Sequence, residues 1–166
     1  FDLSVMSYLV PLLNGACVYT VPKDEIKYAF IAELMEDHAI THALMVPSII
    51  NFMRPYFDEI RASALRCSLF CGEALPEDTT RGWATCAPNA TIVNVYGPTE
   101  HTIYCTHYTY SRTGANKTQH GVLSIGKPMS GSVVVVIDEQ GQVKDRNAEG
   151  ELCLAGPQLT PGYWND

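Results

Sequence analysis

Apolar residues recur at helical spacing near the start of the chain, at Val5, Met6, Leu9, Leu12 and Leu13. The spacing predicts a helix opened by Asp2 or Ser4, whose side-chain oxygens suit a helix N-terminus, and closed at Asn14-Gly15. Pro11 lies inside this pattern and predicts a kink or a local break, because it lacks an N–H and crowds the carbonyl one turn back. Residues 16–21 read as a strand, and Pro22-Lys23-Asp24 as a turn. Over 25–38, Ile26, Phe30, Ile31, Leu34 and Met35 fall on one face, the clearest helix in the chain. The next elements are a strand over 40–46, a helix opened by Pro47-Ser48 that runs through Ile49, Ile50 and Met53, and a strand over 65–70. A helix from Pro76 through Trp83 and a β-branched strand over 91–95 complete the series.

Helix and strand therefore alternate with short links over roughly the first 100 residues, which predicts a parallel sheet with helices packed on it. Ligands of such sheets bind beyond the carboxyl ends of the strands. Two distinctive loops leave those ends, Cys71-Gly72-Glu73-Ala74 and Asn94-Val95-Tyr96-Gly97-Pro98-Thr99-Glu100. After Ile103 the pattern changes. Residues 103–110 alternate like a strand, 111–119 are polar and read as an exposed loop, and two strands over 133–137 and 151–155 flank a hairpin-type turn at Asp138-Glu139-Gln140-Gly141. The predicted fold class is α/β, a parallel sheet with packed helices over 1–110, followed by a small antiparallel β unit over 111–166.

Composition narrows the function classes. The 166 residues are 46% hydrophobic and 17% charged, with a formal net charge of −7, a globular balance and not a disordered one. The acidic balance, with no run of Lys or Arg, argues against a nucleic-acid surface. No apolar stretch reaches the length of a membrane span, so no membrane insertion is expected. The start at Phe1 carries no basic leader, and both ends read as those of a piece of a longer protein. The six cysteines show no C-x-x-C pair and predict buried free thiols in a reducing, cytoplasmic setting. The five histidines are scattered, and no transition-metal site is expected.

The loop at 94–100 carries the candidate chemistry. Tyr96 offers a ring that can stack on a flat base. Gly97 allows close approach of a phosphate to the backbone, and Pro98 fixes the turn. Thr99 can donate to a phosphate oxygen, and Glu100 is a hard oxygen ligand suited to Mg2+.

Three segments in order resemble the adenylate-forming enzymes: Phe1-Asp2-Leu3-Ser4, the 94–100 loop, and Gly150-Glu151-Leu152-Cys153-Leu154-Ala155-Gly156 followed by Gly162-Tyr163. Within that superfamily the chain is similar to the adenylation domains of nonribosomal peptide synthetases and to the D-alanine–carrier protein ligases. Phe70-Cys71-Gly72-Glu73-Ala74-Leu75-Pro76, with a Cys before Gly-Glu, looks like the D-alanine ligases in particular. The resemblance implies a two-step reaction. ATP and an amino acid give an aminoacyl adenylate and pyrophosphate, and the acyl group then passes to the phosphopantetheine thiol of a carrier protein.

The same resemblance implies roles for individual residues. Glu100 would hold Mg2+ and Thr99 would contact a phosphate oxygen. Tyr96 would stack on adenine, Asn94 and the Val95 backbone would read its amino edge, and Gly72 and Glu73 would line its other side, with Gly97 and Pro98 shaping the loop. Asp2 would pair with the substrate ammonium, which is costly to bury unpaired. Leu3, Met6, Leu44, Leu69, Cys71, Val95, Ile103 and Tyr104 would line an uncharged side-chain pocket for a small or apolar amino acid, D-alanine in the first instance. Leu44 and Tyr104 are bulkier than the D-alanine ligases lead one to expect. The phosphate loop, the ribose-binding Asp and the catalytic Lys of the family are expected outside these residues, so the chain is expected to be inactive alone. A peptide-synthetase domain for another amino acid and a non-catalytic nucleotide-binding module are the competing readings.

Overall fold

A computed structural model of the chain describes residues 2–145 and 148–165. Its centre is a five-stranded sheet in the order β1 (His42–Met45), β2 (Cys67–Phe70), β3 (Thr91–Tyr96), β4 (Thr106–Thr109) and β7 (Lys127–Pro128). The first three strands are parallel, in the register Leu44–Leu69–Val93 and Met45–Phe70–Asn94. The β4 strand turns back antiparallel on β3, and β7 closes that edge. The expected parallel sheet is therefore present as the first three strands of a mixed sheet.

Side chains alternate between the two faces of this sheet, and the register gives each face its own core. Met45, Phe70 and Ile92 point to one side, where they meet α3 (Pro47–Met53) and α4 (Glu77–Cys86) around Ile50, Met53, Leu65, Leu75 and Trp83. Trp83 is fully buried and its indole N–H donates to the Ser68 hydroxyl at 3.1 Å, so its polar atom is matched inside the core. Leu44, Leu69, Val93 and Val95 point to the other side, toward Leu3 of α1 (Asp2–Leu13) and the loop that follows β3.

Several sequence expectations shift in extent. The second helix, α2, runs from Lys27 to Asp37, shorter at both ends than 25–38. The fourth, α4, continues past Trp83 to Cys86, with Pro76 just outside its first turn. The first helix is continuous through Pro11 and shows no break. Proline there removes one N–H, near the helix end, and the final turn is closed by Asn14, whose side-chain amide donates to the Val10 carbonyl at 2.8 Å. The strand expected over 16–21 does not form. A strand exists by pairing, and no strand lies beside this stretch among the described residues. The strand expected over 103–110 shrinks to Thr106–Thr109, because Thr102 and Ile103 adopt positive φ values of 49° and 73° and belong to a tight turn.

The later residues give β8 (Val133–Ile137) with β9 (Glu151–Ala155), antiparallel as expected, and an unexpected antiparallel pair, β5 (Thr118–Gln119) with β6 (Val122–Leu123), whose first strand begins in the stretch expected to be a loop. The small strands β5, β6 and β7 have no clear sequence signal. The polar stretch 111–119 is largely exposed but fixed. The Arg112 guanidinium donates to the carbonyls of Ala84, Ala87 and Ala90 at 2.6–2.7 Å, and Asn116 bridges Ser111 and Tyr108. All six cysteines are free thiols, Cys17 exposed and Cys71, Cys86 and Cys105 buried.

Candidate functional site

The carboxyl ends of β1, β2 and β3 point to one edge of the sheet, and the two distinctive loops leave from there. The Cys71 amide donates to the Met45 carbonyl at 3.2 Å, which carries the chain straight off the end of β2. Gly72 then takes a φ of 91°, a conformation that favours glycine. Glu73 turns back: one carboxylate oxygen accepts the Ser48 N–H at 2.8 Å and the other accepts its hydroxyl at 3.1 Å. Glu73 thereby ties the β2 loop to the first turn of α3. Gly72, Glu73 and Ala74 are exposed along this loop.

The second loop follows β3. Asn94 is buried, and its side-chain amide donates to the carbonyls of Ser124 at 3.1 Å and Leu123 at 3.5 Å. Tyr96 is half-buried at the end of the strand. Gly97 is needed for a reason the sequence does not show. A methyl group there would collide with the Tyr104 Cα and lie 2.8 Å from the Ile103 carbonyl oxygen, so the glycine lets the turn fold onto itself. After Pro98, Thr99–His101 form one short helical turn that leaves Thr99 and Glu100 exposed.

Eight residues predicted as a side-chain pocket are largely brought together. Leu3, Cys71 and Val95 are buried in one cluster, with Leu44, Leu69, Ile103 and Tyr104 packed against them. Met6 joins through the Tyr104 hydroxyl, which lies 3.0 Å from its sulfur. Burial pushes the Cys71 thiol up, with a smaller contribution from the nearby Asp2 charge, so this residue is a neutral, small, apolar wall. Burial likewise raises the Tyr104 hydroxyl, with Cys71 and Cys67 beside it. Asp2 is half-buried in the first turn of α1, where its Oδ1 accepts the Leu3 N–H at 2.9 Å. Phe1 lies outside the described residues. Met6, Leu44 and Leu69 also border an open cavity of about 750 Å3 between the sheet, α1 and α2.

Glu100 has a partner that sequence reasoning left out. The Tyr163 hydroxyl donates to Glu100 Oε1 at 2.6 Å, a short charge-assisted bond. That bond is the main cause that holds the Glu100 carboxyl below its ordinary value, and the same bond raises the Tyr163 phenol. The Gly162-Tyr163 pair is visible in the sequence, but nothing in the spacing indicates contact across 63 residues. Among the described residues no group of three His, Cys, Asp or Glu side chains could hold a metal ion by itself. A single exposed carboxylate beside a threonine nevertheless fits Mg2+, which commonly takes one or two carboxylates and completes its shell with substrate phosphates and water. No helix of the described residues is long and apolar enough to cross a membrane.

Known proteins resemble the chain along its whole length. The family profile described as "AMP-binding enzyme" matches residues 1–164. A linear gramicidin synthase of Brevibacillus parabrevis is 36% identical over the whole chain, which spans 3% of that protein. The D-alanine–D-alanyl carrier protein ligase of Lactiplantibacillus plantarum is 34% identical, again over the whole chain, which spans 33% of its length. Among solved structures, the Vibrio cholerae adenylation domain AlmE, crystallised with glycyl-adenosine-5'-phosphate, superposes with a TM-score of 0.86 at 34% identity. It is matched by all of this chain and over 32% of its own.

Proposed function

Because the chain belongs to the AMP-binding enzyme family, we propose that it serves ATP-dependent activation of a small amino acid, D-alanine, as the aminoacyl adenylate, followed by thioester transfer to a phosphopantetheinyl carrier protein. The observation that carries this reading is the joining of Leu3, Cys71, Val95, Ile103 and Tyr104 into one uncharged cluster at the carboxyl end of the sheet, bordered by the carboxylate of Asp2. An ammonium group set beside Asp2 directs the substrate side chain into that cluster. The Tyr104 hydroxyl reaching to Met6 limits its depth, which suits a methyl group better than a branched chain.

In the first step a substrate carboxylate oxygen attacks the α-phosphorus of ATP and pyrophosphate leaves. This displacement needs alignment and charge neutralisation more than a protein nucleophile. Mg2+ held by Glu100 would supply charge neutralisation at the phosphates. Thr99 donates to a phosphate oxygen. Asn94 commits its amide N–H to the Ser124 and Leu123 carbonyls, which leaves its carbonyl oxygen as the group that accepts from the adenine amino edge. Tyr96 stacks on one face of the base, and the Gly72 backbone borders the other, while the Glu73–Ser48 clamp steadies that loop. In the second step the carrier thiol displaces AMP from the acyl carbon and forms the thioester.

A peptide-synthetase domain for another small amino acid is the second reading, favoured by the 36% identity to the gramicidin synthase. Amino-acid-dependent ATP–pyrophosphate exchange by the full-length protein, with D-Ala, L-Ala, Gly, Ser, Val and Leu in parallel, tests both. D-Ala is expected to exceed Val and Leu by roughly tenfold or more, the discrimination that a pocket closed to extra methyl groups gives. A preference for Leu or Val would overturn the small-substrate reading, and a preference for glycine or L-Ala would favour the second.

A further inference from the structure

Three consecutive residues of the turn that carries Glu100 are bound, one after another, to a single distant segment. The Glu100 carbonyl accepts the Thr160 N–H at 2.8 Å, and the Glu100 carboxylate accepts the Tyr163 hydroxyl at 2.6 Å. The fully buried His101 sets Nε2 3.3 Å from the Ala155 carbonyl. The Thr102 hydroxyl donates to the Gln158 carbonyl at 2.7 Å, and the Gln158 amide donates to the Thr102 carbonyl at 3.4 Å.

The turn needs this support. Thr102 and Ile103 are both β-branched and both hold positive φ, a conformation such residues rarely adopt without being forced. The one-turn helix ahead of them has no side-chain cap. In its backbone, His101 N–H donates to the Pro98 carbonyl and Thr102 N–H to the Thr99 carbonyl. Within the turn the Glu100 carboxylate meets its own backbone N–H, and its stronger partner is the Tyr163 hydroxyl, which comes from outside the turn. The hydroxyl contact with Glu100 is the main polar interaction of Tyr163.

We propose that residues 155–163 form a strap that positions the metal-binding turn, with Tyr163 as the residue that orients the Glu100 carboxylate toward Mg2+ and the phosphates. The proposal rests on the amino-acid-activating reading above. By holding Oε1, the phenol restricts rotation of the carboxylate and reduces the ordering that metal binding would otherwise require. The strap thus joins the end of β9, which lies in the antiparallel part of the chain, to the chemistry at the end of β3.

The test is Tyr163→Phe in the full-length protein, with Mn2+ as a spectroscopic stand-in for Mg2+. Free Mn2+ is titrated by electron paramagnetic resonance in the presence of a non-hydrolysable ATP analogue. Mg2+ dependence of ATP–pyrophosphate exchange is measured alongside. The expected result is a Mn2+ dissociation constant raised by roughly threefold to tenfold, the scale of one charge-assisted hydrogen bond partly screened by solvent. The activity lost is expected to return at high Mg2+, the KM for the amino acid to stay within twofold, and the melting temperature to stay unchanged. Metal affinity that is unchanged or tighter in Tyr163→Phe would overturn the proposal, as would a loss of activity that high Mg2+ does not restore. Glu100→Gln separates this failure from that of the underlying reading. If Glu100→Gln leaves Mn2+ binding intact, the metal-ligand assignment itself is wrong. If Glu100→Gln abolishes binding while Tyr163→Phe does not alter it, only the strap is wrong.

Discussion

Gly97 illustrates how a residue's reason can differ from the one its motif advertises. In the sequence it reads as room for a phosphate. In the fold its missing side chain is the space into which the Tyr104 backbone comes back. Gly97→Ala is expected to push the Ile103–Tyr104 backbone away, to cost about 1–3 kcal/mol in the manner of an overpacked core, and to lower exchange activity sharply. Urea unfolding and the exchange assay check the two effects together. Asn94 and Glu73 teach a related lesson. The motifs single both out as expected site residues, but their hydrogen-bond partners Ser124, Leu123 and Ser48 lie 25 to 30 residues away and carry no signal in the sequence. The groups that hold motif residues in place come from separate segments.

At the scale of elements, the helices and the parallel strands were readable because each has an apolar pattern that must be buried on a definite side. The C-terminal end of α4 shows what pattern alone omits. A helix leaves its last carbonyls unpaired, and here the Arg112 fork covers three carbonyls at and beyond that end from a loop that looks merely polar in the sequence. Arg112→Ala is expected to destabilise the fold by about 1–3 kcal/mol, since bonds from a charged donor are strong but this side chain is partly exposed. Arg112→Lys is expected to recover less than half of that loss, because an ammonium cannot reproduce the planar fork. Denaturation midpoints of the two variants measure it. The failed strand over 16–21 is the complementary case: its residues suit a strand, but the described residues offer no neighbour to complete a ladder.

For the whole molecule, the division of labour lies between the mixed sheet and the β8–β9 hairpin. The sheet has buried residues on both faces, with Phe70, Ile92 and Val95 all nearly inaccessible. None of the residues of β8 or β9 is fully buried, and the two strands pair with each other and, at Ile137, with Val143 of the turn between them, but with no strand of the mixed sheet among the described residues. A two-stranded ribbon without a covering core is marginal by itself. Hydrogen exchange of the 166-residue chain is therefore expected to be slowest at Cys67–Phe70 and Thr91–Tyr96 and faster by roughly tenfold or more at Val133–Ile137 and Glu151–Ala155. Equal protection in the two regions would show that the hairpin folds as one cooperative unit with the sheet. Such a result would matter for the strap, which begins where β9 ends.

The amino-acid sequence by itself determined the alternation of helices and strands and the two loops at the strand ends, and the family resemblance of its motifs supplied the expectation that Leu3, Cys71, Val95 and their neighbours gather there. Each of these follows from periodicity or from motifs that can be matched segment by segment, so a local reading reaches it. Only the tertiary structure decided that Gly97 makes room for Tyr104, that Glu73 clamps Ser48, that Arg112 closes α4 and that Tyr163 holds Glu100. These are single contacts between residues brought together from separate segments. They depend on how β3, the turn after it and the 155–163 segment are packed, and no pattern within any one segment encodes that distance.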